Sequence, residues 1–412
     1  MTRATSKTFR THIALFGRRN VGKSSLLNAL VRQNVSIVSD VPGTTTDPVE
    51  KPMELLPLGP VLFIDTAGID DTGTLGEMRV AKTQQVLDRT DLAIVIACGT
   101  DWSSFEDQLI EETERRKIPS IVVFNKIDLS SPDAALLEKL GKKQITVVEV
   151  SALTGKGIST LREALLAKVP DDVLNRSVLG DLVKPGQCVV LVVPIDKEAP
   201  KGRLINPQVQ SIRDALDHDA YCLVVKEREL RNAMNQLRTP PALVITDSQA
   251  FLKVAGDTPS EIPMTSFSML FARFQGDLSE MVRGALAADN LKPGDRILVA
   301  EACAHHPIGE DIGRVKIPRW LTNYIGGKLE FEHVQGHDFP KDLSSFSLVV
   351  HCGACMWNRR EMLNRIMFCR DAGVPITNYG VVIAYSLGIL ERALRPFPAA
   401  LDLFMNLKGK GK

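Results

Sequence analysis

Thr11-His12-Ile13-Ala14-Leu15-Phe16, then Gly17-Arg18-Arg19-Asn20-Val21-Gly22-Lys23-Ser24, then Ser25-Leu26-Leu27-Asn28-Ala29-Leu30: this run decides the fold of the first third of the chain. Its first block is an apolar strand-forming segment. The second is the full phosphate-loop pattern G-x4-G-K-S/T, and the third is a helix-forming segment. In that strand, loop, helix setting the backbone N–H groups cradle phosphates, and the helix N-terminus adds positive potential. Gly17, Asn20, Gly22, Lys23, Ser24 and Ser25 are therefore candidate nucleotide contacts. Lys23 is expected to reach the β- and γ-phosphates and the Ser24 hydroxyl to ligate Mg2+.

Three further segments lie at the ends of apolar runs. Asp65-Thr66-Ala67-Gly68 follows Val61-Leu62-Phe63-Ile64, placing Asp65 to hold Mg2+ through water and Gly68 to offer its N–H to a γ-phosphate. Asn125-Lys126-Ile127-Asp128 follows Ile121-Val122-Val123-Phe124, and a carboxylate such as Asp128 accepts from the N1–H and 2-amino group of guanine, which adenine lacks. Ser151-Ala152-Leu153 fits the companion loop that contacts the base. Four motifs in this order make the segment a GTPase domain that binds GTP and GDP with Mg2+.

Composition bounds the rest. With 50 Lys+Arg against 49 Asp+Glu and a net charge of +1, no global field steers the chain toward nucleic acid or an anionic membrane. The polar start Met1-Thr2-Arg3-Ala4-Thr5-Ser6-Lys7 lacks an apolar core for a secretory signal, and no apolar run has the ~20 residues that span a bilayer. The expectation is a cytoplasmic protein without nucleic-acid or membrane partners. Seven cysteines without a signal argue against a disulfide framework. Cys98, Cys188, Cys222 and Cys369 lie in apolar stretches and read as buried thiols.

After Pro170-Asp171-Asp172, a plausible boundary, strand and helix patterns alternate from Cys188 to Ala255 without a catalytic constellation. This implies a small parallel α/β layer, whose exposed strand edge suits pairing of two copies into a homodimer. Residues 265–278 read as a helix that 279–286 continue. Beyond them Arg296-Ile297-Leu298-Val299-Ala300 leads to Cys303-Ala304-His305, and Ser347-Leu348-Val349-Val350 leads to His351-Cys352-Gly353-Ala354-Cys355. Sites in open α/β sheets form outside the carboxyl ends of strands, so the two cysteine groups can converge although about 50 residues separate them.

Two metal chemistries fit. Cys303, His305, Cys352 and Cys355 would close a tetrahedral zinc site, as in a zinc-stabilised GTPase of RNA modification or ribosome assembly. Three thiolates holding a cubane iron–sulfur cluster would instead leave one corner exchangeable, with His305 or His351 as fourth ligand or as a hydrogen-bond donor beside it. Arg314, Lys316, Arg319, Arg359 and Arg360 are charges that could neutralise an anionic guest there, though surface ion pairs explain them as well.

The finer GTPase pattern resembles the potassium-activated tRNA-modification GTPases. Val41-Pro42-Gly43-Thr44-Thr45-Thr46-Asp47 resembles their first switch, with Thr45 closing on Mg2+. Asn20 stands where they place a K+ ligand, and Glu77 where they carry a water-positioning carboxylate. Ile69 occupies the position of a water-orienting glutamine in many signalling GTPases and cannot orient water. The pattern Cys303-x-His305, 45 residues, His351-Cys352-x-x-Cys355, with the segment from His305 to Pro318, resembles the HydF family, the GTPases of [FeFe]-hydrogenase maturation. The resemblance covers the whole chain. It implies an α/β protein of three domains: a Ras-like P-loop GTPase domain of the TrmE-Era type (1–171), a small parallel α/β dimerisation domain (172–266) and an α/β iron–sulfur domain (267–412). It further implies a [4Fe-4S] cluster on Cys303, Cys352 and Cys355, and a scaffold for a transient diiron subcluster precursor. Radical-SAM hydrogenase maturases would supply that precursor and apo-[FeFe]-hydrogenase would receive it.

Overall fold

The structure is a computed structural model that describes residues 10–31, 48–55, 58–66, 82–99, 101–169, 176–195, 202, 204–302, 311–336 and 338–410. The chain forms two compact units, Met1–Arg176 and Ser177–Lys412. The expected boundary at Pro170-Asp171-Asp172 lies outside the described residues.

The first unit is built on a six-stranded sheet of order β2-β3-β1-β4-β5-β6. Its strands are β1 (Thr11–Gly17), β2 (Val49–Leu55), β3 (Gly59–Asp65), β4 (Leu92–Cys98), β5 (Ser120–Asn125) and β6 (Thr146–Glu149). All pairs are parallel except β2 with β3. Alternate side chains of one strand go to opposite cores: Ile13 and Leu15 pack with the helices Lys23–Val31 and Ile158–Lys168, whereas Ala14 and Phe16 pack with Leu109 and Ile110. Burial on both faces is what makes β1 and β4 read as unbroken apolar runs. Pro52 sits in β2, an edge strand, where a missing N–H is tolerated. The chain crosses from β1 to β3 on one side and to β4 on the other, so a crevice opens at the carboxyl end of β1.

The second unit holds two four-stranded parallel sheets. One, of order β10-β9-β7-β8, uses β7 (Cys188–Val192), β8 (Tyr221–Val225), β9 (Leu243–Thr246) and β10 (Met264–Ser266). The other, of order β12-β11-β13-β14, uses β11 (Arg296–Glu301), β12 (Glu330–Gln335), β13 (Leu348–His351) and β14 (Ile376–Asn378). β8 is an edge strand with Tyr221 and Val224 exposed. At the opposite end of the second sheet, β14 is covered by the helix Leu278–Leu286. There Gly284 lets the helix lie on the strand, because a Cβ would stand 1.9 Å from the Ile376 carbonyl oxygen.

The helix expected from residue 265 through 286 is broken. Thr265 belongs to β10; the helix Phe267–Gln275 ends at Gly276, and Asp277 caps a new helix, Leu278–Leu286, by accepting from the Ser279 and Glu280 N–H groups. An Asp at an N-cap competes with helix continuation, which explains the break. Cys188 and Cys369 are buried as expected, whereas Cys98 at the end of β4 and Cys222 on the edge strand β8 are half-buried. No helix among the described residues is long and apolar enough to cross a membrane.

Candidate functional sites

In the first unit the predicted nucleotide residues converge at the carboxyl ends of β1, β3 and β5. Lys23 is buried, and its Nζ donates to the carbonyls of Gly17 (2.8 Å) and Arg18 (2.7 Å), spanning the loop it closes. The Ser24 hydroxyl donates to Asp65 Oδ2 at 2.7 Å, so the two expected Mg2+ groups already meet. Burial raises the Asp65 carboxyl above its ordinary value, opposed by the Ser24 hydrogen bond and by the charges of Lys23 and Lys51. A buried carboxylate biased in this way gains from a cation.

Asn125 ties three motifs together. Its Nδ2 donates to the Val21 carbonyl at 2.9 Å, and its Oδ1 accepts from the Ala152 N–H at 3.0 Å. Gly22 is required for that closeness, because its φ is +89° and a Cβ would stand 2.4 Å from Asn125 Nδ2. Lys126 reaches across to the Asn20 carbonyl at 2.6 Å, and Asn20 itself holds a left-handed φ of 62°. Ser151 is buried and its hydroxyl accepts from the Thr154 N–H, while Asp128 is exposed. Ser25 is half-buried in the first turn of the helix. Thr45, Gly68, Ile69 and Glu77 lie outside the described residues.

The sequence reading missed Glu106. Arg18 of the phosphate loop donates to Glu106 Oε2 at 2.8 Å and also bonds the Ser103 hydroxyl. Glu106 simultaneously accepts from the Ser103 N–H, so one buried carboxylate completes the capping box of the helix Ser104–Arg115 and anchors the loop. The signal was available as Ser103-Ser104-Phe105-Glu106, the S-x-x-E pattern of a capped helix.

In the second unit β11 lies between β12 and β13, so the chain leaves it in opposite directions and a crevice opens at its carboxyl end. His351 ends β13 and pairs with Ala300 of β11; Cys352 follows, its Sγ accepting the Ala302 N–H at 3.1 Å. Ala354 adopts a left-handed φ of 50°, which turns the chain within the Cys352-Gly353-Ala354-Cys355 loop. Asn206, at the head of the helix Asn206–Asp217, donates to the Cys355 carbonyl at 2.6 Å. Cys303 and His305 lie outside the described residues; among those described, no group of three His, Cys, Asp or Glu is placed to hold a metal ion.

His351 is fully buried, and its pKa is pushed down to about 3 by burial and then by the charge of Arg365. Arg365 was not singled out in the sequence. It is 5% exposed, and its guanidinium carbon lies 4.0 Å from the Trp357 ring centroid and 4.4 Å from that of Phe339. Burial draws its pKa down to about 10, still cationic at neutral pH. Nearby, the buried Glu301 accepts from the Tyr379 hydroxyl (3.1 Å) and the Gln335 amide (3.0 Å). Of the five charges that could face a guest or serve as surface charges, two are engaged with protein groups: Arg359 donates to the carbonyls of Arg273, Phe274 and Gly276, and Lys316 bonds Gln249.

Comparison with known families accounts for both units. The model of the "Hydrogen maturase F dimerization domain" matches residues 178–276, that of the "Hydrogen maturase F tetramerization domain" matches 279–396, and that of "50S ribosome-binding GTPase" matches 12–126. The chain belongs to the HydF family. It carries the family's GTPase, dimerisation and tetramerisation domains in that order, and its first domain is a GTPase that binds GTP, GDP and Mg2+. Among curated proteins it is similar to "tRNA modification GTPase MnmE" of Laribacter hongkongensis, 37% identical over 159 residues, covering 38% of this chain and 34% of that one. It is also similar to "GTPase Der" of Wolinella succinogenes, 34% identical over 184 residues, covering 40% and 39%. The chain spans between a third and two fifths of these relatives' length, and the likeness lies in the GTPase domain. Among solved structures, an Era variant of Aquifex aeolicus bound to GDP.AlF4- matches with a TM-score of 0.35 and 24% identity, over 52% of this chain and 92% of that one.

Proposed function

We propose that this HydF-family GTPase is a scaffold and carrier in [FeFe]-hydrogenase maturation, with domains spanning 1–171, 172–266 and 267–412. In this reading Cys303, Cys352 and Cys355 hold a [4Fe-4S] cluster whose fourth corner receives a diiron precursor from radical-SAM maturases and releases it to apo-hydrogenase. The observation that carries it is the position of Cys352 and Cys355 at the crevice of a sheet belonging to the HydF-specific part of the chain. The donor set fits: thiolates in a Cys-x-x-Cys loop, with a backbone N–H already aimed at the Cys352 sulfur, suit a sulfur-bridged iron cluster. When bound, such a cluster supplies an exchangeable iron site. The chain's own residues orient the thiolates and hold a buried cation, Arg365, behind them.

In the GTPase domain, Lys23, Ser24, Thr45 and Asp65 serve phosphate and Mg2+, with Gly17, Gly22, Ser25 and Gly68 lining the phosphates. Asn125, Lys126, Asp128, Ser151 and Ala152 serve the base, Asn20 a K+ ion, and Glu77 the attacking water. Nucleotide state then governs association with partners in the cytoplasm. The exposed edge of β8 supports a homodimer, since a second β8 can continue the sheet. The test is maturation itself: protein loaded in the presence of the maturases is mixed with purified apo-hydrogenase, and H2 evolution is followed. Activity should appear with the wild type and be lost with Cys352→Ser. Equal activation by Cys352→Ser would remove the scaffold role, and an unchanged maturation rate with Lys23→Ala would remove the nucleotide control.

A further inference from the structure

Behind the cysteine loop lies a chain of buried groups whose hydrogen-bond roles can be settled by elimination. A guanidinium can only donate, so the 3.1 Å contact between Arg365 Nη1 and His351 Nε2 needs a bare nitrogen at Nε2. A carbonyl oxygen can only accept, so the 2.9 Å contact between His351 Nδ1 and the Cys352 oxygen needs a proton on Nδ1. Arg365 is itself held in one place: its other nitrogen donates to the Gly336 carbonyl at 2.6 Å, and the Phe339 and Trp357 rings both pack against its guanidinium. Trp357 also packs on the His351 ring, with centroids 5.6 Å apart.

We infer that Arg365 is a positioning residue that locks His351 as the Nδ1–H tautomer, making the histidine a strut for the Cys352 carbonyl and not a ligand. Both ring nitrogens are occupied, one by a cation that would have to leave before Nε2 could meet iron, the other by the carbonyl it supports. The Cys352 carbonyl takes a second, longer contact from the Asn378 amide at 3.4 Å, and its sulfur takes the Ala302 N–H, so backbone and side-chain donors hold the residue at both its carbonyl and its sulfur. This inference rests on the cluster reading for its purpose, but the tautomer lock is a property of the chain without any cluster.

The test separates the two. Long-range 1H–15N NMR on the metal-free, full-length protein with 15N-histidine, the His351 signal assigned by its loss in His351→Gln, reads the tautomer directly. The expected spectrum has one protonated nitrogen, Nδ1, and one bare nitrogen, Nε2. Arg365→Met should turn this into a mixture with Nε2–H, because a methionine offers no donor to hold the lone pair. An Nε2–H tautomer or an imidazolium at neutral pH in the wild type would overturn the lock, whether or not the variants fold. Pulsed EPR on the reconstituted, reduced protein then reads the ligand question. A directly bound histidine nitrogen present in wild type and missing in His351→Gln would overturn the strut. Its absence, or retention in His351→Gln, would support it. Failure of the protein to take up any cluster would sink the cluster reading, and the metal-free spectrum would still decide the lock.

Discussion

Replacing Gly22 by alanine should weaken nucleotide binding through Asn125. Gly22 sits at φ +89°, and an added Cβ would stand 2.4 Å from Asn125 Nδ2, the atom that holds the Val21 carbonyl. Left-handed backbone costs a non-glycine residue about 1–2 kcal/mol. Displacing Asn125 forfeits a hydrogen bond whose net worth is about 0.5–1.5 kcal/mol. Holding the loop in its binding shape therefore costs Gly22→Ala about 1.5–3.5 kcal/mol, which is roughly a 10- to 300-fold loss of affinity at 1.4 kcal/mol per decade. Equilibrium titration with a fluorescent GDP analogue at fixed Mg2+ and KCl reads it. The control is Gly59→Ala at the start of β3, with φ +86° and nothing within 4 Å of the added Cβ. That variant carries the backbone strain alone, away from the site, and should melt slightly earlier with unchanged affinity. An affinity for Gly22→Ala within threefold of wild type, or an equal loss in Gly59→Ala, would refute the steric argument.

Glu106→Gln removes the charge that anchors Arg18, and nucleotide affinity should fall several-fold with the helix Ser104–Arg115 still formed by circular dichroism. Arg359→Ala leaves three carbonyls around the end of the helix Phe267–Gln275 without their donor, and the stability of the second unit should drop by about 1–3 kcal/mol in denaturant melts while GDP binding is unaffected. Arg115 first, and then Arg116, hold the Glu112 carboxyl at about 2, below its ordinary value of 4.5. Because the folded value is depressed, the stabilisation is complete above pH 4.5 and is lost as pH falls toward 2. Glu112→Gln should therefore cost most stability at pH 7, and the gap from wild type in urea midpoint should narrow steadily as pH falls below 4.5.

What was legible in the sequence is what chemistry places at strand ends. Lys23, Ser24, Asp65 and Asn125 were readable because phosphate, Mg2+ and guanine each demand one residue type at one place, and the structure brings these four together. Their partners were harder. Glu106 could have been found from its capping box, but nothing local says that Arg18 reaches it across the fold. Arg365 was hidden among the three other arginines of the helix Arg359–Asp371, where only tertiary packing selects the one that lies against Phe339 and Trp357. Arg359, a candidate either for a guest's charge or for a surface ion pair, binds backbone carbonyls for the same reason. β12 has charged residues at Glu330 and Glu332 and a half-exposed face, so it lacks the apolar run that betrayed β11 and β13. The break at Asp277 was written in the sequence as an N-cap residue after a glycine, and was overridden there by the continuous apolar pattern on both sides.

The most direct test of the account is anaerobic reconstitution with iron and sulfide, on wild type and on the triple Cys303/Cys352/Cys355→Ala variant, read by metal analysis, visible absorption and EPR after dithionite. The account expects a brown wild-type protein with about four irons per chain and a reduced-cluster signal, both absent from the variant. A colourless protein that holds one tight zinc per chain through the same cysteines would contradict it.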